Sequence, residues 1–174
     1  TESHKGYQHI ANQIVRLIHE LEAETGYRAE SVGLGTPGTV EPSNGLMKNC
    51  NTTCLNGMPL KDDLIKALNI PVAIANDANC FALAEATMGI VPDVVPDFNC
   101  VFGVIMGTGV GGGVVFRGKD GQPFVLNGRQ GIGGEWGHNE LEFNGYDCYC
   151  GKKGCVEQVL SGPALQRYYA QISG

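Results

Sequence analysis

Apolar residues near the start of the chain recur at helical spacing. Ile10, Ile14, Leu17, Ile18 and Leu21 predict a helix over residues 5–25, stopped by Gly26. Val32 and Leu34 predict a short strand over 31–35 that runs into the turn Thr36-Pro37-Gly38-Thr39. A loop rich in Asn, Cys and Gly follows over 42–57, and Pro59 opens a helix with Leu60, Leu64 and Leu68 on one face. Residues 72–75 read as a buried strand that meets Asn76-Asp77. From there a helix is expected to about Met88, with Phe81, Ala84 and Met88 as its apolar stripe and Gly89 as its stop. Residues 91–97, with two prolines, read as a link between lobes. Residues 100–106 and 110–116 read as two strands joined by a glycine turn, 117–121 as another turn, and a last helix starts near Gly162. No internal repeat or low-complexity segment interrupts this order. It places the chain in the α/β or α+β class, as a piece of two lobes with a cleft between them.

Composition changes the picture in one respect. Among 174 residues, 43% are hydrophobic and 17% charged, as in ordinary globular proteins, but 26 are glycine. Many of those fall in 103–113 and 128–137, which suggests close backbone approach to a ligand. A net charge of -6 argues against nucleic acid as a direct partner. No apolar run reaches the roughly 18 residues of a membrane span, and no signal peptide opens the chain. Seven cysteines, three of them within eight residues, point to metal binding in a reducing cytoplasm before disulfides. Cys50, Cys54, Cys80 and Cys100 are expected to be ordinary packed thiols.

Four constellations carry chemistry. One imidazole and three thiolates, His138, Cys148, Cys150 and Cys155, make a closed tetrahedral zinc set, and all four positions being filled makes its role structural. The segment around them is too polar for a buried strand, so a metal would fix a loop that cannot fold on apolar contacts. Asn76-Asp77 lies between a strand and a helix, where open α/β sheets bind ligands, and a carboxylate there can take a proton from a hydroxyl. An ordinary helix N-cap is the simpler reading of that pair, although a cap needs only one of them. Gly107-Thr108-Gly109-Val110-Gly111-Gly112-Gly113 contains the dinucleotide spacing, yet a strand follows where a helix would be required. A glycine hairpin could still cradle phosphate; a tight turn with bulges is the alternative. Finally, Glu135-Trp136-Gly137-His138 and Glu157 offer carboxylates suited to sugar hydroxyls, with plain surface charge an even alternative on spacing alone.

Together these residues resemble the ROK family (repressors, open reading frames and kinases). The resemblance rests on Gly33-Leu34-Gly35-Thr36-Pro37-Gly38, on Ala75-Asn76-Asp77-Ala78-Asn79-Cys80 leading into Ala82-Leu83-Ala84-Glu85, and on the glycine loop. It rests also on Glu135-x-Gly137-His138 and Cys148-x-Cys150-Gly151-x-x-Gly154-Cys155-x-Glu157. These span nearly the whole chain in family order, nearest to the bacterial glucokinase, fructokinase and N-acetylhexosamine kinase branch. The resemblance implies the actin-like, ribonuclease-H-like ATPase architecture, with ATP and sugar between two α/β lobes. Residues 1–96 would belong to the smaller N-terminal lobe, and 97–174 to the larger lobe with the glycine loop and a zinc-bound loop. It implies transfer of the γ-phosphoryl of Mg-ATP to a hexose or N-acetylhexosamine hydroxyl. Asp77 would be the base, and Asn76, Glu135, His138 and Glu157 would contact the sugar. Gly107, Thr108 and Gly109 would approach the ATP phosphates, and His138, Cys148, Cys150 and Cys155 would hold zinc. A homodimer is also expected, since the family is often dimeric.

The family's first phosphate motif, Asp-x-Gly-x-Thr, does not occur here. The chain is therefore expected to be a central fragment, inactive alone, because phosphoryl transfer needs loops on both sides of the nucleotide. The alternative parent is a ROK transcriptional repressor that uses this region to sense a sugar. A ligand-free structural zinc domain is the third reading. The identity of the sugar is expected to rest partly on residues 50–56.

Overall fold

The computed structural model of the chain describes residues 2–174, which fold as two compact units divided after Asp77.

In the first unit, helix α1 (Tyr7–Thr25) turns Ile10 and Ala11 into the core, with Ile14 and Val15 packed beside them. Gly26 ends it at φ 75°, a left-handed position that glycine adopts without strain. The apolar stripe extends further than the core does: Leu17 and Leu21 are about half exposed, at 55% and 50%. Strand β1 (Val32–Thr36) enters the turn at Gly38. A Cβ there would collide with the Lys48 carbonyl oxygen, so only glycine lets the chain bend so close to its neighbour. Strands β2 (Thr39–Val40) and β3 (Met47–Lys48) form a short hairpin closed by the Glu41–Lys48 ion pair. The Asn56 side chain then bridges the following loop, accepting from the Cys50 amide at 2.8 Å and donating to the Cys50 carbonyl at 3.0 Å. Helix α2 (Leu60–Leu68) buries Leu60 and Leu64 fully, with Asp62 and Asp63 in its first turn, where the helix dipole favours acids. Strand β4 (Val72–Asn76) pairs with β1 in parallel, Val32 opposite Val72 through Thr36 opposite Asn76. Val32, Leu34, Val72 and Ile74 face the helices, while Gly33, Gly35, Ala73 and Ala75 stay exposed.

Helix α3 (Asp77–Thr87) follows β4 without a loop and leads into the second unit. Its expected stripe is not the one it buries. Phe81 is 38% exposed and Met88, just past the helix end, 83%; the buried face is Ala78, Ala82 and Ala86, at every fourth residue. The reason lies in the sheet beneath. Strands β5 (Cys100–Met106) and β6 (Val110–Arg117) place Gly103 opposite Gly113. A Cβ on either would come within 2.8 Å of the Ala82 Cβ, so helix and sheet meet where neither carries bulk.

The link read over 91–97 holds a single helical turn, α4 (Val91–Val94). Strand β7 (Pro123–Val125), absent from the sequence reading, adds to β6 with Val115 opposite Val125. Val115, Ala82, Ala86 and Phe98 form this unit's core. Two of the thiols expected to be packed are instead exposed, Cys80 and Cys100; Cys50 is buried and Cys54 half-buried. Residues 138–156 form an irregular loop, followed by helices α5 (Glu157–Leu160) and α6 (Gly162–Ser173). Ser161 caps α6 by accepting from the Ala164 amide at 3.3 Å.

Candidate functional site

In the first unit, the site residues stand at the carboxyl end of β4. Asn76 is buried, and its Nδ2 donates to the Gly38 carbonyl at 3.2 Å. The Thr36-Pro37-Gly38 turn thus fixes the orientation of Asn76, because β1 and β4 are held in register up to Thr36 and Asn76. Asp77 is the first residue of α3 and is exposed, so its carboxylate meets solvent next to a strand end whose own backbone is paired.

In the second unit, the glycine segment divides into three parts. Gly103, Gly112 and Gly113 serve packing, Gly112 lying against the Phe102 ring and the Gly103 carbonyl. Gly107, Thr108 and Gly109 make the turn, closed by the Gly107 amide on the Gly109 carbonyl at 2.9 Å, with Thr108 exposed. From Val110 the chain runs on as β6, which excludes the strand-to-helix dinucleotide loop. The part of the run that faces helix α3 is thus not available to a ligand.

Glu157 sits beneath this turn. It is 8% exposed, and its Oε2 accepts from the Val110 amide at 3.0 Å. Its own amide donates to the Gly137 carbonyl at 2.9 Å, which sets Glu157 beside the segment that carries Glu135 and His138. Glu135 itself is exposed. Trp136, between them, donates from Nε1 to the Gly111 carbonyl at 2.9 Å and meets Phe102 edge-on, anchoring the segment to β6.

The donor atoms of His138, Cys148, Cys150 and Cys155 all lie within 4.8 Å of one another. Nδ1 of His138 is 3.5 Å from Sγ of Cys148, and Sγ of Cys150 is 3.7 Å from Sγ of Cys155. With metal–sulfur bonds near 2.3 Å and metal–nitrogen bonds near 2.0 Å, tetrahedral geometry requires about 3.5 Å and about 3.8 Å for those edges. The set therefore fits a divalent ion. The thiols are also electrostatically unequal: burial pushes Cys155 up to about 12, while the Lys152 amide beside Cys150 holds that thiol below its ordinary value. A cation resolves this, since it favours all three thiolates together.

Tyr149 belongs to the site and was not singled out in the sequence. Its hydroxyl lies 3.0 Å from Nε2 of His138, with the rings edge-to-face, so both imidazole nitrogens are engaged. Although the side chain is largely exposed, local desolvation of the hydroxyl where it meets the His138 ring, and then the Glu157 carboxylate, raise its phenol. Its place between two ligand cysteines was the available signal.

Of the residues expected to act, Gly107, Thr108, Gly109, His138, Cys148, Cys150, Cys155 and Glu157 are thus drawn into one connected region of the second unit, with Glu135 on the same segment as His138. Asn76 and Asp77 are ordered by the first unit.

A protein-family model described as ROK family matches residues 1–173. The chain is 36% identical to the N-acetyl-D-glucosamine kinase of Vibrio cholerae over 178 residues, covering 97% of this chain and 56% of that protein. Among solved structures, the ROK hexokinase from Thermus thermophilus superposes with a TM-score of 0.75 at 34% identity, covering 97% of this chain and 53% of that one. A ROK family transcriptional regulator, a homolog of the E. coli MLC protein, gives 0.76 at 28% identity over 94% of this chain and 40% of its own. The chain therefore spans about half the length of the curated relatives it matches.

Proposed function

The chain belongs to the ROK family, and from that membership we propose that the protein carrying it is an ATP-dependent sugar kinase acting on a hexose or N-acetylhexosamine. The observation that carries this reading is Asp77, an exposed carboxylate at the carboxyl end of a parallel strand. A kinase needs a base there, and a sugar sensor does not. Asp77 accepts the proton of one sugar hydroxyl as that oxygen bonds to the γ-phosphorus of ATP and the bond to the β-phosphate oxygen breaks, releasing ADP. Asn76, already oriented through Gly38, Glu135 and Glu157 position the sugar. His138 offers it the Nε2 side of its ring, where the exposed Tyr149 hydroxyl now lies. Gly107, Thr108 and Gly109 approach the phosphates of Mg-ATP, since only glycines allow backbone so near a ligand. The four-donor set holds zinc, whose bonds to Cys148, Cys150 and Cys155 supply the rigidity that the loop's exposed side chains do not.

The larger organisation follows the same reading. Residues 1–96 contribute to the smaller lobe and 97–174 to the larger, with α3, inside the first range, packed in the second unit; the protein is cytoplasmic, where ATP is available, and a homodimer is one form open to it. Among the described residues, no helix is long and apolar enough to cross a membrane.

The test is a coupled ADP-release assay on the natural protein that carries this chain, across glucose, fructose and N-acetylated hexosamines. One sugar should be phosphorylated, and Asp77→Asn should lower kcat at least about a thousandfold with sugar binding retained. Sugar binding without phosphorylation by the wild type would favour the second reading, a sugar-sensing domain of a repressor, for which the likeness to the transcriptional regulator speaks.

A further inference from the structure

The 107–109 turn has little of its own to hold it. Its two glycines have no side chains, Thr108 is exposed, and its internal bond runs from the Gly107 amide to the Gly109 carbonyl. Two contacts from one short stretch of chain grip it from either flank. On the β6 side, Glu157 Oε2 accepts from the Val110 amide at 3.0 Å and sits so close that a Cβ on Gly109 would lie 2.7 Å from it. On the β5 side, the Gly162 amide donates to the Gly107 carbonyl at 2.7 Å. The stretch between these two points is itself stiff. The Ser161 amide donates to the Glu157 carbonyl, and Ser161, 4% exposed, caps α6. Behind it, the Glu157 amide binds the Gly137 carbonyl and the Val156 amide binds the Asn139 carbonyl, both at 2.9 Å. The residues flanking His138 are in this way paired with those following Cys155.

We propose that residues 157–162 are a positioning clamp for the glycine turn, with the Glu157 carboxylate and the Gly162 amide as its two jaws. This rests on the reading of that turn as the ATP-phosphate contact. A buried carboxylate is costly unless it receives strong hydrogen bonds, so one found with its oxygen on a backbone amide makes a short-range, directional restraint. The clamp takes the Val110 amide and the turn's own bond takes that of Gly107, which among the described residues leaves Thr108 and Gly109 to offer theirs to a phosphate. Because the clamp is paired with the two segments that carry His138 and Cys155, order in the metal loop is transmitted to the turn. Glu157 is then a positioning residue for nucleotide in addition to any contact with sugar.

The experiment uses the metal-loaded natural protein and reads hydrogen exchange at the Val110 amide together with KM for ATP. Glu157→Ala should speed Val110 exchange about tenfold and raise KM for ATP by a similar factor, whereas Glu157→Gln keeps a carbonyl acceptor and should leave Val110 exchange within about twofold. Gly162→Pro replaces the donor to Gly107 with a ring carbon that must push the Gly107 carbonyl away, so it opens this jaw without touching a carboxylate. It should raise KM for ATP about fivefold with sugar affinity unchanged. Wild-type exchange and ATP affinity in Glu157→Ala would overturn the proposal. Should that variant not fold, an unchanged KM for ATP in Gly162→Pro overturns it instead. If the wild type phosphorylates no sugar, the kinase reading fails on its own. The exchange comparison between the alanine and glutamine variants then still decides the clamp, faster exchange in alanine alone supporting it and equal exchange overturning it.

Discussion

Each unit lays helix against sheet, and they do it with opposite materials. In the first, α1 and α2 cover β1 and β4 with large side chains, and Met47, Leu60 and Leu64 are almost wholly buried. In the second, α3 meets β5 and β6 through Ala78 and Ala82 over Gly103 and Gly113. The 138–156 loop beyond leaves Leu141, Phe143 and Tyr149 exposed and buries Cys148, Cys155 and Val156. Large side chains remove much apolar area from water, about 1.5–3 kcal/mol for each one fully buried. Alanine on glycine removes little, but it fixes the separation of the layers within tenths of an ångström. The first arrangement stabilises; the second sets geometry, in the unit that must hold the glycine turn.

That contrast can be broken at its weakest point by stripping the metal that His138, Cys148, Cys150 and Cys155 are proposed to hold. With a chelator, or in Cys155→Ser, residues 138–156 should lose their order while the first unit keeps its exchange protection. The loss should amount to several kcal/mol of local stability, since a structural metal ion supplies most of the folding energy of such loops. Loss of protection in both units together would show that they share one cooperative core. Next in size, Leu64→Ala in the first unit should cost about 2–5 kcal/mol in chemical denaturation, as for other fully buried leucines. It should leave the nucleotide KM unchanged. The smallest change is the most telling. Gly113→Ala adds one methyl group, which must displace the Ala78 carbonyl at 2.7 Å and the Ala82 Cβ at 2.8 Å. It should cost about 1–3 kcal/mol by overpacking. Unlike Leu64→Ala, it should also raise KM for ATP, because it lifts the helix from the strands that end in the turn.

Much of this was legible in the chain. Helical spacing located α1 and α2, the step from an apolar run into Asn76-Asp77 located β4 and α3, and the glycine hairpin stood where it was expected. The four candidate metal donors were named from residue type and spacing, and the fold brings their donor atoms together. Other features were not legible. Phe81 and Met88 outrank alanine on any hydrophobicity scale, yet the glycine surface beneath α3 admits only small residues. β7, three residues long behind a proline, exists because β6 offers it a partner. Leu17 and Leu21 continue a periodicity that the core of their unit does not reach. Cys80 and Cys100 have the composition of packed thiols and the position of surface ones.

The sequence by itself determined the order of elements, the turn that glycine at Gly38 permits, and the chemical kind of each candidate group. Those depend on local sterics and on side-chain chemistry, which travel with the residue. Only the tertiary structure decided which glycines serve packing and which remain for a ligand, which face of α3 is buried, and that Glu157 grips the Val110 amide across a separation of 47 residues. Those depend on the shape of a partner surface far away in the chain, and no residue carries that information in itself.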